Sequence, residues 1–530
     1  MPRLPRFVHV IGFGTLLCLA ASLQTCLADV RLPHIFGNHM VLQRDQPLRF
    51  WGSADPEEKV KVSLGKANGE TTADKQGKWS IELPAVSAGS PIDVTIEGKN
   101  SIVLHDVLVG EVWLCSGQSN MQWPVSMVTH ARKEIEEAKH PQIRLFTVPM
   151  RPAGEPSDDV NGSWTVCTPS SIPGFTAVGY FFGRYLHEQL EVPVGLINSS
   201  WGGTRIEPWT PPVGFREVPA LASMVTQIDN AASEYAKMTA AVLRQYKAWL
   251  PLAEEAQKKG EHIPAPPVWP ANPLANNVAP TGLYNGMIHP LVPFSIRGAI
   301  WYQGESNVGE GLLYFEKMKA LIAGWRSVWH EKDLPFLYVQ LAPYRYGAAD
   351  PLNLPHSWEA QTAALQIPNT GMAVINDIGN AKDIHPKNKQ DVGKRLALWA
   401  LAKVYGKQIV YSGPLYKSMN IDGTKIRVKF EHVGGGLVAR DGKPLEWFKI
   451  AGDDKNFVDA EAIIDGDSVV VSSPKVTKPV AVRYAFDQIA EPNLQNIEGL
   501  PASPFRTDKW NDTDQHEVPK TKPARSTTLN

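Results

Sequence analysis

Ser119 lies in Gly117-Gln118-Ser119-Asn120-Met121, directly after the apolar run Val112-Trp113-Leu114-Cys115. A serine hydroxyl is a poor nucleophile until a base removes its proton, and an imidazole oriented by a carboxylate does so near neutral pH. Of the 14 histidines, His385 stands among acids, in Asp383-Ile384-His385-Pro386 shortly after Asp377-Ile378-Gly379 and the apolar run Met372-Ala373-Val374-Ile375. Asp383 is near enough in sequence to fix one imidazole tautomer, and serine first with acid and histidine last is an order that α/β esterases use. Two more clusters offer donors for a developing oxyanion. In Asn198-Ser199-Ser200-Trp201-Gly202-Gly203-Thr204-Arg205 the paired glycines let a backbone amide, that of Gly203, come close to a ligand. In Trp301-Tyr302-Gln303-Gly304-Glu305-Ser306-Asn307 the Gln303 amide is a second donor, and Glu305 is expected to tie its loop to Arg205 by a bidentate salt bridge. Gln118 and Asn120, beside the serine, are supporting or substrate-binding candidates. Taken alone, Gly117-Gln118-Ser119 fits a helix cap better than a nucleophile; the other three clusters shift the balance to acyl transfer.

Those clusters share a context. Each follows a nearly continuous apolar stretch, namely Val112-Trp113-Leu114, Val194-Gly195-Leu196-Ile197, residues 296–301, or Met372-Ala373-Val374-Ile375, as strands buried on both faces do. Phe336-Leu337-Tyr338-Val339 adds a further strand, and helical patterns at 179–190, 314–329 and 391–404 alternate with them. Alternation of this kind predicts a parallel sheet with helices on both faces, from about 106 to 406, with ligands bound at the carboxyl ends of its strands. Within it, an insertion at about 211–280 reads as a helical hairpin over 219–259 followed by a proline-rich loop over 263–280. It is expected either to shape the pocket rim or to be a solvent-facing decoration.

Period-two alternation, as in Val60-Lys61-Val62-Ser63-Leu64 and Trp79-Ser80-Ile81-Glu82-Leu83, predicts an N-terminal β-sandwich domain over 29–105. Similar strands, such as Lys425-Ile426-Arg427-Val428, predict a second β domain over 407–510, and 511–530 reads as a polar, disordered tail.

A chain of 530 residues exceeds one core and implies several domains. With 53 basic and 54 acidic residues and no block of like charge, it has no electrostatic footprint for nucleic acid or an anionic membrane. Its 16 tryptophans are a mild pointer to sugar stacking. Arg3 and Arg6 precede an apolar run from Val8 to Leu23 and then Cys26-Leu27-Ala28, which reads as a signal peptide cleaved after Ala28, giving a secreted or periplasmic protein. The mature chain then keeps Cys115 and Cys167, enough for one disulfide or two buried thiols. No metal-ligand spacing stands out, so no metal or organic cofactor is expected.

The motifs together resemble the sialate O-acetylesterase-like branch of the SGNH hydrolase superfamily. The resemblance extends from Leu32-Pro33-His34-Ile35-Phe36 and Met40-Val41-Leu42-Gln43 through the serine, Trp201-Gly202-Gly203-Thr204, Tyr284-Asn285-Gly286-Met287-Ile288, Trp301 to Asn307 and Asp383-Ile384-His385-Pro386. It implies a flavodoxin-like, three-layer hydrolase domain flanked by β domains, acting on O-acetyl esters of sialic acid or a related sugar. It further implies Ser119 as nucleophile, His385 as base, Asp383 as orienting acid, and Ser119, Gly203 and Gln303 as the oxyanion hole. The chain departs from the wider superfamily in Gln118 where Asp is usual, in Gln303 where Asn is usual, and in an Asp-to-His spacing one residue shorter, which makes Asp377 the alternative acid. Acetylxylan or another acetylated polysaccharide is the second substrate class, and Arg205 is a candidate holder of a sialate carboxylate. The reading of another class is a secreted carbohydrate-binding protein without turnover, against which Ser119, Asp383 and His385 stand.

Overall fold

A computed structural model describes residues 29–511 except Ala348. The export segment expected over 1–28 and the tail from 512 onward lie outside the described residues.

A mixed sheet forms the centre. Its strands are β1 (Ser101–Gly117), β2 (His140–Thr147), β3 (Trp164–Cys167), β4 (Val194–Ser200), β5 (Gly298–Tyr302), β6 (Phe336–Val339) and β7 (Thr370–Ala373), in the order β7-β6-β5-β1-β4-β2-β3. All neighbours are parallel except β2 and β3. The five strands β4-β1-β5-β6-β7 have the flavodoxin-like order, with β1 at the point where the chain switches direction across the sheet, and β2 and β3 extend the edge beyond β4.

Each central strand buries both faces, and alternate residues serve different cores. Val112 and Leu114 of β1 join Ala299, Trp301, Phe336, Tyr338 and Met372 on one face. Trp113 and Cys115 join Leu196, Ile300, Tyr302, Leu337 and Ala373 on the other. Helices α2 (Ala177–Leu190) and α6 (Lys389–Lys403) cover the second face through Phe181, Phe182, Leu186, Val392, Leu396 and Leu401. Helix α4 (Leu313–Trp329) covers the first with Leu321, Trp325 and Trp329. Such double coverage explains why the strands read as unbroken apolar runs.

The flanking regions are β-rich. Strands Lys59–Leu64, Ala67–Thr72 and Ile92–Glu97 form an antiparallel layer with the first half of β1, facing the antiparallel pair of Leu48–Ser53 and Lys78–Leu83. Strand β1 therefore belongs to both layers and passes from one to the other at Asp106, where the register shifts and φ is +55°. The Asp106 carboxylate accepts from Arg144 (2.7 Å) and lies 2.6 Å from His39 Nδ1, which anchors the bend. The Arg144 guanidinium beside Asp106 holds its carboxyl below the usual range, with His39 adding to the effect. C-terminal to α6, two four-stranded antiparallel sheets enclose Ile426, Val428, Val469, Phe448, Ile450, Val482 and Tyr484. Just before the last strand of these sheets, Phe505–Arg506, the chain returns to the hydrolase layer, where Ser503 Oγ accepts from Gln340 (3.0 Å) and the Ala502 carbonyl accepts from Asn376 (2.9 Å). It docks there beside the ends of β6 and β7.

One expectation is corrected and one open alternative is resolved. The insertion is not a helical hairpin: α3 (Ala222–Lys259) runs unbroken through Pro251. The proline-rich stretch folds back along it, with Trp249 donating to the Pro264 carbonyl (2.8 Å) and Trp269 to Tyr235 (3.2 Å). A proline costs one backbone bond and a local kink, and the solvent-facing surface of so long a helix accommodates both. Cys115 and Cys167 are both buried free thiols, each pushed up by burial, Cys167 to about 12.

Candidate active site

Strand β1 ends at Gly117, whose φ of +139° and close approach to the Tyr302 carbonyl exclude a side chain: a Cβ there would stand 2.1 Å from that oxygen. Gln118 N–H donates to the same carbonyl (3.0 Å), and the chain turns into the single-turn helix α1 (Ser119–Gln122). Ser119 is the first residue inside that turn rather than its cap, and the cap position, Gln118, makes no side-chain cap bond. The helix-cap reading of the serine therefore fails on geometry.

His385 Nε2 lies 2.9 Å from Ser119 Oγ, and the imidazole stacks on the Trp123 ring at 4.7 Å between centroids. Burial lowers the imidazole below its ordinary pKa, and Lys389 lowers it further against the pull of Asp383. Asp383 Oδ1 is 3.9 Å from Nδ1, within ion-pair reach but beyond a hydrogen bond. It accepts instead from the backbone N–H of His385 at 3.0 Å, an Asx turn that orients the ring from its own main chain. Asp377, the alternative acid, is committed elsewhere, taking both guanidinium nitrogens of Arg395 at 2.6 Å each.

Around Ser119, Gly202 N–H donates to Gln122 Oε1 (2.8 Å), and a Cβ on Gly202 would lie 3.2 Å from the Ser119 Cβ. The neighbouring Gly203 has φ +75° and open space where a side chain would be. The backbone N–H groups of Ser119 and Gly203 have no hydrogen-bond partner among the described residues. Two unpaired amides next to a serine hydroxyl within hydrogen-bond reach of an imidazole could receive an oxyanion.

Gln303 does not face this space. It is fully buried; its Nε2 contacts Asn307 Oδ1 (2.7 Å), Gln118 Oε1 (3.2 Å) and the Thr204 carbonyl (3.2 Å), and its Oε1 accepts from Tyr314 (2.9 Å). The side chain is held by its own loop and by α4, and it fixes Gln118 behind the serine. The expected Glu305–Arg205 salt bridge is also absent. Arg205 pairs with Glu207 and Glu310 and donates to the Ser306 carbonyl (3.0 Å), in a cluster completed by the buried Lys317 (2.7 Å to Glu207). Glu305 turns inward and accepts from Asn120 Nδ2 at 2.5 Å.

Sequence reasoning missed Trp123 and Lys389. Lys389 is fully buried at the first position of α6, its Nζ 2.5 Å from Asn120 Oδ1 and 5.0 Å from the Tyr302 ring centre. A lysine opposing the dipole at a helix N-terminus, four residues after His385, was the signal available. No group of three or more His, Cys, Asp or Glu side chains is placed to hold a metal ion among the described residues, and no described helix is long and apolar enough to cross a membrane.

Comparison with known proteins accords with this geometry. The family described as carbohydrate esterase, sialic acid-specific acetylesterase matches residues 109–246 and 273–402. The sialate O-acetylesterase of Rattus norvegicus is 33% identical over 453 residues, covering 78% of this chain and 80% of its own length. That of Homo sapiens is 32% identical over 432 residues, covering 74% of each. The crystal structure of a carbohydrate acetylesterase from Xanthomonas citri superposes with a TM-score of 0.77 at 38% identity, covering 91% of this chain and all of the other.

Proposed function

The chain belongs to the sialic acid-specific acetylesterase family of carbohydrate esterases, and from that premise we propose that it removes acetyl groups from a sugar through an acyl-enzyme on Ser119. The observation that carries this reading is the 2.9 Å contact between His385 Nε2 and Ser119 Oγ beside two unpaired amides. His385 accepts the hydroxyl proton as Ser119 Oγ attacks the acetyl carbonyl, and the Ser119 and Gly203 amides bind the oxyanion. The tetrahedral intermediate collapses, the sugar oxygen leaves with the proton from His385, and the acetyl group stays on Ser119 Oγ as an ester. Water, deprotonated by the same imidazole, then releases acetate and restores the enzyme. Asp383 is the orienting acid, acting through the turn it caps and by charge.

On this reading the base works unprotonated. Its lowered pKa puts the acid limb of the rate profile below the ordinary imidazole value of about 6.5, activity rising with pH through that limb. Replacing Ser119 by Ala removes turnover of a nitrophenyl acetate while leaving the circular dichroism spectrum unchanged; wild-type turnover by that variant would sink the mechanism.

For the substrate, the names of the relatives favour O-acetylated sialic acid. A second reading, a neutral acetylated polysaccharide such as acetylxylan, has one observation in its favour: Arg205, the candidate carboxylate holder, is already charge-paired with Glu207 and Glu310. Acetate release from acetylated sialic acid against acetylated xylan decides between them. We also propose export, from Arg3, Arg6 and the apolar run before Ala28; a secreted chain beginning at Asp29 is the expected result of N-terminal sequencing.

A further inference from the structure

Behind the nucleophile lies a polar unit that acyl transfer does not use. Asn120 follows Ser119 directly and is 1% exposed, so its amide must be satisfied inside the protein. Its Nδ2 donates to Glu305 Oε1 (2.5 Å) and to the Ile384 carbonyl (3.0 Å), and its Oδ1 accepts from Lys389 Nζ (2.5 Å). The amide orientation follows from its partners, because a flipped oxygen would face a carboxylate and a carbonyl. Two strand-exit loops and a helix N-terminus meet on this one side chain: the Glu305 loop, the loop carrying Asp383, Ile384 and His385, and the start of α6. Glu305 Oε2 is buried without a partner, so its carboxylate is incompletely compensated.

We propose that Asn120, Glu305 and Lys389 are a positioning unit, which locks the nucleophile turn to the base loop and through which the lysine charge, supported by Glu305, tunes the basicity of His385. It rests on the reading of Ser119 and His385 given above. The groups around His385 are Ser119 and the Trp123 ring from α1, Asp383 from its own loop and Lys389 from α6; those around Lys389 are Asn120, Glu305, Asp383 and the Trp123 and Tyr302 rings. Burial brings the lysine down to about 7, with Glu305 and Asp383 holding it up. It therefore carries its proton over the lower range in which His385 titrates, and its charge opposes a second positive charge on the imidazole.

The test is the pH profile of kcat/KM for nitrophenyl acetate with the full mature chain, each variant normalised to serine sites labelled by a fluorophosphonate. Lys389→Met removes the charge, so the imidazole holds its proton more tightly and the acid limb moves up by roughly one pH unit. Lys389→Arg keeps the charge and restores the limb. Glu305→Gln keeps an acceptor for Asn120 but withdraws the lysine's support, and it moves the limb the same way. Asn120→Ala lowers kcat about a hundredfold with KM little changed, as loss of alignment does. A limb that stays at the wild-type position in both Lys389→Met and Glu305→Gln overturns the proposal, however far kcat falls. If Lys389→Met does not fold, the near-isosteric Glu305→Gln decides alone. Wild-type turnover by Ser119→Ala overturns the acyl-enzyme reading itself, whereas an inactive Ser119→Ala with an unmoved limb overturns this inference alone.

Discussion

Two buried carboxylates sit at opposite ends of the part of β1 that lies in the central sheet, and the protein treats them differently. At the amino end, Glu111 is fully buried and takes Arg44 Nε (2.5 Å), Arg297 Nε (2.8 Å) and Gln43 Nε2 (3.1 Å). Burial alone would raise its carboxyl; Arg297 and then Arg44 overcome that and hold it below the usual range. At the carboxyl end, Glu305 has Asn120 on one oxygen and nothing on the other, and burial holds its carboxyl above the usual range. A compensated buried charge fastens layers together, here the N-terminal β layer to the hydrolase sheet. An under-compensated one behind the Ser119 turn is a group whose charge can respond to its surroundings.

The comparison breaks most visibly at Glu111. Replacing both Arg44 and Arg297 by Met strands a buried carboxylate, and about 3–5 kcal/mol of stability should be lost in urea unfolding, with kcat per folded molecule unchanged. Because the folded carboxyl is depressed, its stabilisation is present above the unfolded value of about 4.3 and disappears as pH falls through the folded one; the variant should lack this acid dependence. A loss of activity exceeding the loss of fold would place Glu111 in the chemistry and erase the contrast. Next in size, Asp383→Asn should lower kcat about tenfold to a hundredfold with little change in stability, while Asp377→Asn, which breaks the Arg395 pair, should do the reverse. Exchange of those two outcomes would make Asp377 the acid. The smallest effect is expected at Gly203: Ala meets no clash there but must adopt φ +75°, costing about 1–2 kcal/mol. A fall in kcat larger than that strain accounts for would sharpen the assignment of its N–H to the oxyanion.

How legible the site was depended on the range of the interaction. Ser119 and His385 stood out because each follows an apolar run that can only be a buried strand, and strand ends of one parallel sheet gather at one edge. The oxyanion role of Gln303 and the Glu305–Arg205 pair did not survive, because sequence shows which loop carries a side chain and not which way it turns. Gln303 found Asn307 four residues on, and Arg205 found Glu207 two residues on and Glu310 across the loops. The α3 hairpin failed for a related reason: Pro251 reads as a breaker, yet an exposed helix continues through it.

By itself, then, the chain's pattern of apolar runs and turn residues determined the α/β sheet and its β-rich flanks, and its motifs carried the resemblance to the family. Backbone periodicity is a local property, and the carboxyl edge of a parallel sheet follows from it. Which acid approaches His385, which amides stay unpaired and how Lys389 reaches Asn120 were decided only by the tertiary structure. Apart from Asp383, which stands two residues from His385, these groups are brought together across some 80 to 270 positions of sequence, as in the 266-residue separation of Ser119 and His385 and the 269-residue separation of Asn120 and Lys389. Contacts of that kind are set by how the layers pack and by which neighbours compete for each polar atom.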